Sequence, residues 1–182
     1  MPINPKVIRE VFDNSLAIFL EREQQELADG VNERNYCARW ACYMERCSEA
    51  HGLIGYVADT EHNRKQDGRI KTILGGQSEV ISINCDLILH SRGKYIEEDN
   101  LIAVELKKHH RPPIEKDKDR ARLIALTKAS YGGVWKINPN TPPEHVCGYV
   151  LGAYVEVDRK QRICLVEFYA NGNFVESIIR YF

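Results

Sequence analysis

The sequence predicts a mixed α/β domain, or an α+β one, in which a sheet is sandwiched between helices. Three observations carry this. The first 50 residues hold two stretches of helical periodicity, and residues 53–107 change to the two-residue period of strands. One further helical stretch then separates those strands from three more. With 182 residues, 43% of them hydrophobic and 28% charged, the chain can build one domain around its own core and is not a disordered tail. Within that single domain, 1–182, the helical part covers 1–50, a central part 53–130, and C-terminal strands 147–182.

Residues 5–28 read as the first helix, because Val7, Ile8, Val11, Phe12, Leu16, Phe19 and Leu20 recur near helical spacing and Asp29-Gly30 breaks it. Asn32 fits the N-cap of a second helix reaching Ala50, with Tyr36, Trp40, Tyr43, Met44 and Cys47 on its apolar face. Val31 and Tyr36 have the spacing of a hydrophobic staple. A strand around 53–62 precedes the polar stretch 63–68, and Gly75-Gly76 interrupts the next extended segment. From Ile81 to Leu89 the residues alternate, with Ile81, Ile83, Cys85, Leu87 and Leu89 on one side and Ser82, Asn84 and Asp86 on the other. Leu101–Lys107 is apolar on both faces up to Glu105, which marks a central strand. Residues 115–128 read as a charged helix with Leu123, Ile124 and Leu126 turned inward, and 131–144 as a loop. Cys147–Val157, Ile163–Ala170 and Phe174–Tyr181 read as three strands joined by hairpin turns.

Lys+Arg is 25 and Asp+Glu is 26, so a whole-protein basic coat is excluded and nucleic-acid contact needs a local patch. Residues 107–128 supply one, with eight basic residues against three acidic, whereas residues 1–60 hold six against ten. The stretch is either a solvated helix face of mixed sign or a surface that tracks phosphates, and the asymmetry between the halves favours the second. Lys108, Arg111, Lys118 and Arg122 are its candidate contacts. The longest apolar runs fall far short of a membrane span, and the N-terminus lacks the order of a secretory signal, so a cytoplasmic protein without a membrane partner is expected. None of the six cysteines forms a CxxC pair. Cys37, Cys42 and Cys47 turn about 140° from one another on a helix, cannot share a metal, and read as small buried residues. His90 reads as solvent-exposed, and the adjacent His109 and His110 as loop residues.

Chemistry enters at three residues. Glu105 and Lys107 stand two apart on one strand and so share a face. Asp86 lies on the polar face of the preceding strand, and adjacent pairing would bring it to Glu105 with Lys107 in the same space. Two close carboxylates repel unless a cation lies between them, and hard oxygen ligands suit Mg²⁺ or Mn²⁺. Such an ion polarises a phosphoryl oxygen and acidifies a bound water, while a lysine steadies developing charge. The set suits hydrolysis of a phosphodiester.

Asp86, followed nineteen residues later by Glu105-Leu106-Lys107, resembles the PD-(D/E)xK motif of restriction-endonuclease-like nucleases, with Cys85 where that motif has proline. Asn32-Glu33-Arg34-Asn35-Tyr36 resembles the family's early helical glutamate. Glu61-His62-Asn63-Arg64 resembles the Glu-Tyr-Asn-Arg that precedes the metal strands in small bacterial members. Residues 85–93 and 100–108 resemble the metal-strand pair, and 119–127 the helix that follows. The likeness spans about residues 30–155.

The resemblance implies a central mixed four-stranded sheet flanked by helices, with the last antiparallel strands as additions and a metal site at one sheet edge. It implies Asp86 and Glu105 as ligands of Mg²⁺ or Mn²⁺ and Lys107 as the catalytic lysine. Glu33 would complete the metal shell or position a water. Asn63 and Arg64 would contact phosphate or hold their loop. The implied reaction is cleavage of nucleic acid, DNA before RNA, leaving a 5′-phosphate and a 3′-hydroxyl. The alternative is a catalytically silent module of the same fold that binds nucleic acid or a protein. A hydrolase of other phosphoesters ranks lower, because the basic helix suits an extended anion. The chain has no obvious sequence-reading element, which leaves room for a homodimer or a partner protein.

Overall fold

Two amphipathic helices at the start of the chain each bury one stripe, and that stripe sets the architecture. The computed structural model describes residues 2–60, 72–74, 80–82, 85–128 and 147–182. Helix α1 (Pro5–Arg22) is capped by Asn4, whose side chain accepts a hydrogen bond from the Lys6 amide, and turns Ile8, Phe12, Leu16 and Phe19 inward. The expected single helix over 5–28 breaks at Glu23 and resumes as the short α2 (Gln24–Asp29), which Gly30 ends in the left-handed region. The break has a purpose visible in the contacts: the buried Glu23 carboxylate accepts hydrogen bonds from Arg39 Nε at 3.0 Å and from the Tyr43 hydroxyl. Both donors lie on α3 (Glu33–Ala50), which is capped by Asn32 accepting from the Arg34 amide. Trp40 of α3 stacks on Phe19 with ring centroids 5.4 Å apart, and its indole N–H donates to Ser15 Oγ at 3.0 Å. Tyr36, Tyr43, Met44 and Cys47 are buried as the periodicity predicts; Cys42 is exposed, because the five-residue spacing carries it off the apolar stripe.

The sheet is mixed and six-stranded. Its strands are β1 (Val57–Thr60), β4 (Leu87–His90), β5 (Asn100–Lys108), β6 (Leu151–Asp158), β7 (Ile163–Ala170) and β8 (Asn173–Tyr181), in that order across the sheet. Two short strands, β2 (Thr72–Leu74) and β3 (Val80–Ser82), pair only with each other. The β5–β6 pair is parallel, and the other neighbours in the large sheet are antiparallel. A parallel pair requires a crossover, and α4 (Pro113–Leu126) lies within it. Leu89, Val104, Leu106, Val155 and Phe168 face α1 and α3, whereas Ile88, Ala103, Tyr154 and Tyr169 face Leu123 and Leu126 of α4. Residues 100–106 of β5 are all buried, as expected for a central strand covered on both faces.

The four strands β1, β4, β5 and β6 form a mixed set flanked by helices, and the expected C-terminal antiparallel strands continue the same sheet to six. One expectation for the strands changes. The alternating run 81–89 is not one strand: β3 and β4 belong to different sheets, and the chain bends at Asp86. Cys85 therefore packs on the α4 side and donates its thiol to the Val104 carbonyl at 3.1 Å, while Leu87 and Leu89 face α1 and α3. The turn after β7 places Asn171 and Gly172 at φ 52° and 74°, the left-handed pair that a two-residue hairpin turn needs. Glu61, His62, Asn63 and Arg64 lie outside the described residues, as does the predicted loop 131–144. Among the described residues no helix is long and apolar enough to cross a membrane.

Candidate functional site

The register of β4 and β5 brings the first two candidate residues together. Leu87 pairs with Val104 at the end of the ladder, and Asp86, just before it, adjoins the Glu105–Lys107 segment of β5. Because the chain bends at Asp86, its carboxylate is free to accept hydrogen bonds from the β5 main chain, with Oδ2 2.9 Å from the Leu106 amide. The same oxygen lies 3.1 Å from Lys107 Nζ. Lys107 in turn stands 3.2 Å from Asp119 Oδ2 of α4. Arg122, one turn along α4, donates to Asp119 Oδ1 at 3.1 Å and to Glu105 Oε1. The result is one chain of alternating charge, Asp86–Lys107–Asp119–Arg122–Glu105, with three carboxylates and two cations.

Burial decides how these groups ionise. Glu105 is fully buried, and desolvation followed by the neighbouring Asp86 charge pushes its pKa well above the usual range against the pull of Arg122. Burial likewise raises Asp119, with Lys107 and Arg122 opposing. For Lys107, desolvation favours the neutral amine, but Asp86, Glu105 and Asp119 outweigh it and hold the lysine above its ordinary value. Lys107 is therefore a fixed cation at neutral pH. Cys85, beneath them, has its thiol pushed up by burial and then by Glu105 and Asp86.

Glu33 arrives from the first turn of α3. Its carboxylate accepts from the Lys108 amide at 3.0 Å and from Arg111 in a two-pronged grip, at 3.1 Å to Oε1 and 3.0 Å to Oε2. Burial raises its pKa, yet the Arg111 and Lys108 hydrogen bonds prevail and leave it below the ordinary value. Glu33, Arg34, Cys37, Thr60, Asp86 and Arg111 line a cleft of about 610 Å³. Asp86 thus belongs both to the cleft and to the charge chain, and Glu33 reaches the cleft alone.

The remaining candidate residues disperse. Lys108 Nζ donates to the Gly30 carbonyl at 2.9 Å, Arg111 holds Glu33, and Arg122 lies inside the charge chain. Lys118 is exposed on α4. Other cations of the basic stretch are also paired, Lys116 with Glu156 at 2.9 Å and Arg120 with Glu167 at 2.8 Å. The excess charge of residues 107–128 is thus largely matched by acids from elsewhere in the fold. His90 is buried, not exposed, because its Nε2 lies 2.8 Å from Asp59 Oδ2. His109 is exposed and places Nδ1 2.7 Å from Glu156 Oε1.

Asp119 is the site residue that the sequence reading missed. Its signal was an acid on the apolar stripe of α4, four and seven positions before the buried Leu123 and Leu126.

Glu105 Oε2 is buried without a hydrogen-bond partner among the described residues, and Asp86 opens on the cleft, so both carboxylates keep binding capacity of the hard-oxygen kind. Among the described residues, however, no group of three or more His, Cys, Asp or Glu side chains is placed to hold a metal ion. Arg122 and Lys107 compensate the acids instead. No protein-family model, curated protein or solved structure matches the chain.

Proposed function

We propose that this chain is a metal-dependent nuclease that hydrolyses phosphodiester bonds, with DNA the favoured substrate. The observation that carries the reading is the Asp86 carboxylate on the Leu106 amide, 3.1 Å from Lys107 Nζ and next to Glu105, with the cleft of Glu33 alongside. The likeness to the PD-(D/E)xK motif supports it, as does the helix–strand order around these residues. Asp86 and Glu105 would hold Mg²⁺ or Mn²⁺, with Glu33 at the cleft wall. When bound, such an ion supplies Lewis-acid polarisation of a phosphoryl oxygen and lowers the pKa of a coordinated water.

The chain's own residues have distinct parts. Lys107, held protonated by its carboxylate neighbours, orients and stabilises negative charge on a phosphate oxygen and does not act as a base. Asp119 fixes the Lys107 ammonium from the far side at 3.2 Å, which makes it a positioning residue. Arg122 compensates Glu105 and Asp119, so it must give up part of that pairing before Glu105 can serve an ion. That pairing is also what favours a second reading, a catalytically silent module that binds nucleic acid or a protein.

The test is incubation of the purified protein with labelled DNA and RNA in Mg²⁺, Mn²⁺ or EDTA, beside Asp86→Ala and Glu105→Ala. Metal-dependent cleavage that both variants lose supports the nuclease. Wild-type cleavage by either variant overturns the mechanism, and binding without cleavage by any form selects the silent module.

A further inference from the structure

The outermost strand of the sheet is built unlike a protected edge. β8 is nine residues long and only Ile178 in it is partly covered. Phe174, Val175, Ile179 and Tyr181 are each about half or more exposed, Tyr181 at 77%. β8 carries no proline or lysine and is not short; its pairing slips once, at Val175, and its charged residues Glu176 and Arg180 lie on the face toward α1. On the other side of the molecule α4 covers β5 and β6 and reaches β7, and among the described residues no helix packs extensively on the corresponding face of β8.

The ladder tells which groups of β8 are unspent. The Phe182 amide donates to the Arg162 carbonyl at 3.1 Å, and β7 and β8 pair Cys164 with Arg180, Val166 with Ile178 and Phe168 with Glu176. Alternation along an antiparallel pair then makes those even-numbered residues the ones bonded to β7. Ser177, Ile179 and Tyr181 accordingly aim their amides and carbonyls away from the sheet. The even residues point toward α1, where Glu176 accepts from Arg9 at 2.7 Å and Arg180 lies 4.0 Å from Asp13.

We infer that a second copy of this chain occupies the edge, pairing β8 antiparallel to β8 about a two-fold axis at Ile178. Hydrogen bonding requires outward residues to oppose outward residues, which restricts the axis to a residue position. Of the neighbouring choices, only Ile178 sets Glu176 opposite the partner's Arg180 and Arg180 opposite the partner's Glu176. Shifting the axis to Ser177 or Ile179 sets each charge against an apolar residue and loses both pairs. With the axis at Ile178, Ser177 faces the partner's Ile179 on the other side of the sheet, within the regular stretch 176–181 of β8. The same strand is therefore complementary to itself in hydrogen bonding, charge and apolar surface, as a two-fold interface requires. The two six-stranded sheets become one of twelve strands.

Light scattering on the purified full chain tests this. The expected mass is twice 20.9 kDa, and Ile179→Pro, which removes an outward amide and leaves the β7–β8 ladder intact, is expected to halve it with an unchanged circular dichroism spectrum. Ile178→Cys is expected to form an intermolecular disulfide under mild oxidation in far higher yield than the wild type, since it meets its own copy across the axis. A wild-type mass of 20.9 kDa at every concentration overturns the proposal. So does a dimer that persists in a folded Ile179→Pro, or an Ile178→Cys variant that cross-links no better than the wild type.

Discussion

Glu105→Gln is expected to stabilise the protein increasingly as pH rises above the ordinary glutamate value of 4.5. Glu105 is fully buried, and burial and Asp86 raise its pKa more than Arg122 lowers it, so the folded state binds its proton more tightly than the unfolded chain does. Its favourable contribution is complete below 4.5 and is lost as pH rises through the folded pKa. One proton gives a slope of about 1.4 kcal/mol per pH unit in that window. As pH rises above the ordinary value the wild type should lose stability relative to Glu105→Gln, and each kcal/mol so lost lowers the melting temperature by about 2–4 °C for a domain of this size. Urea unfolding of both proteins at each pH gives the free-energy difference, in which the other titrating groups cancel. Glutamine keeps the shape and can still accept from Arg122, so the comparison isolates the charge. A flat difference, or one of opposite sign, would show that Glu105 is ionised throughout and that Arg122 outweighs burial.

Other expectations follow from the same contacts. Asp59, held down to about 2 chiefly by Arg92 and then His90, contributes about 2 kcal/mol at neutral pH, present above the unfolded value and lost as pH falls toward 2. Asp59→Asn should forfeit that much in chemical denaturation at pH 7, and the gap to wild type should narrow below pH 4. Gly152→Ala would place a methyl 2.9 Å from Thr127 Cγ2, which separates α4 from the sheet and costs about 1–3 kcal/mol. Adding Thr127→Ser, which removes that methyl but keeps the hydroxyl bonded to Leu123, should recover most of the loss. Trp40→Ala empties the space between Phe12 and Phe19 and should cost about 3–5 kcal/mol, read from the urea midpoint. If the nuclease reading holds, saturating Mg²⁺ at a hundredfold excess over its dissociation constant should stabilise the wild type by about 2.7 kcal/mol and leave Asp86→Asn unmoved in a melting assay.

Local rules with a strong steric basis were legible in the sequence. Asn32 caps α3 because a short acceptor suits that position, and Asn171-Gly172 makes a hairpin because both residues tolerate positive φ. The doubly apolar β5 reads as a central strand without any tertiary knowledge. What failed depended on partners far along the chain. Glu23 interrupts the first helix for the sake of Arg39 and Tyr43, and the bend at Asp86 splits an otherwise perfect alternation to satisfy the Leu106 amide. The triplet Asp86, Glu105 and Lys107 was visible from spacing; Asp119 was not, because an acid on a charged helix draws no notice until its apolar neighbours fix the inward face. The positive charge of residues 107–128 reads differently in the fold for a related reason. Composition counts cations, while the fold supplies Glu33, Glu156 and Glu167 to meet them.

The parallel pairing of β5 with β6 bears on how the molecule comes together in time. Ile102 must find Leu151, whereas the hairpin of β7 and β8 closes from Ala170 to Asn173. Loop closure over the longer interval costs about 2 kcal/mol more chain entropy. Contacts along the C-terminal hairpins and between α1 and α3 are cheap to make early, and the β5–β6 seam is the expensive one. Of the charge chain's acids, Glu105 comes from β5 and Asp119 from α4, which lies inside that seam, so these two are sequestered from water only once the seam has closed. Substitutions along β5 and β6 are therefore expected to slow refolding, and those in the β7–β8 hairpin to act chiefly on the unfolding rate, in stopped-flow measurements on the same protein.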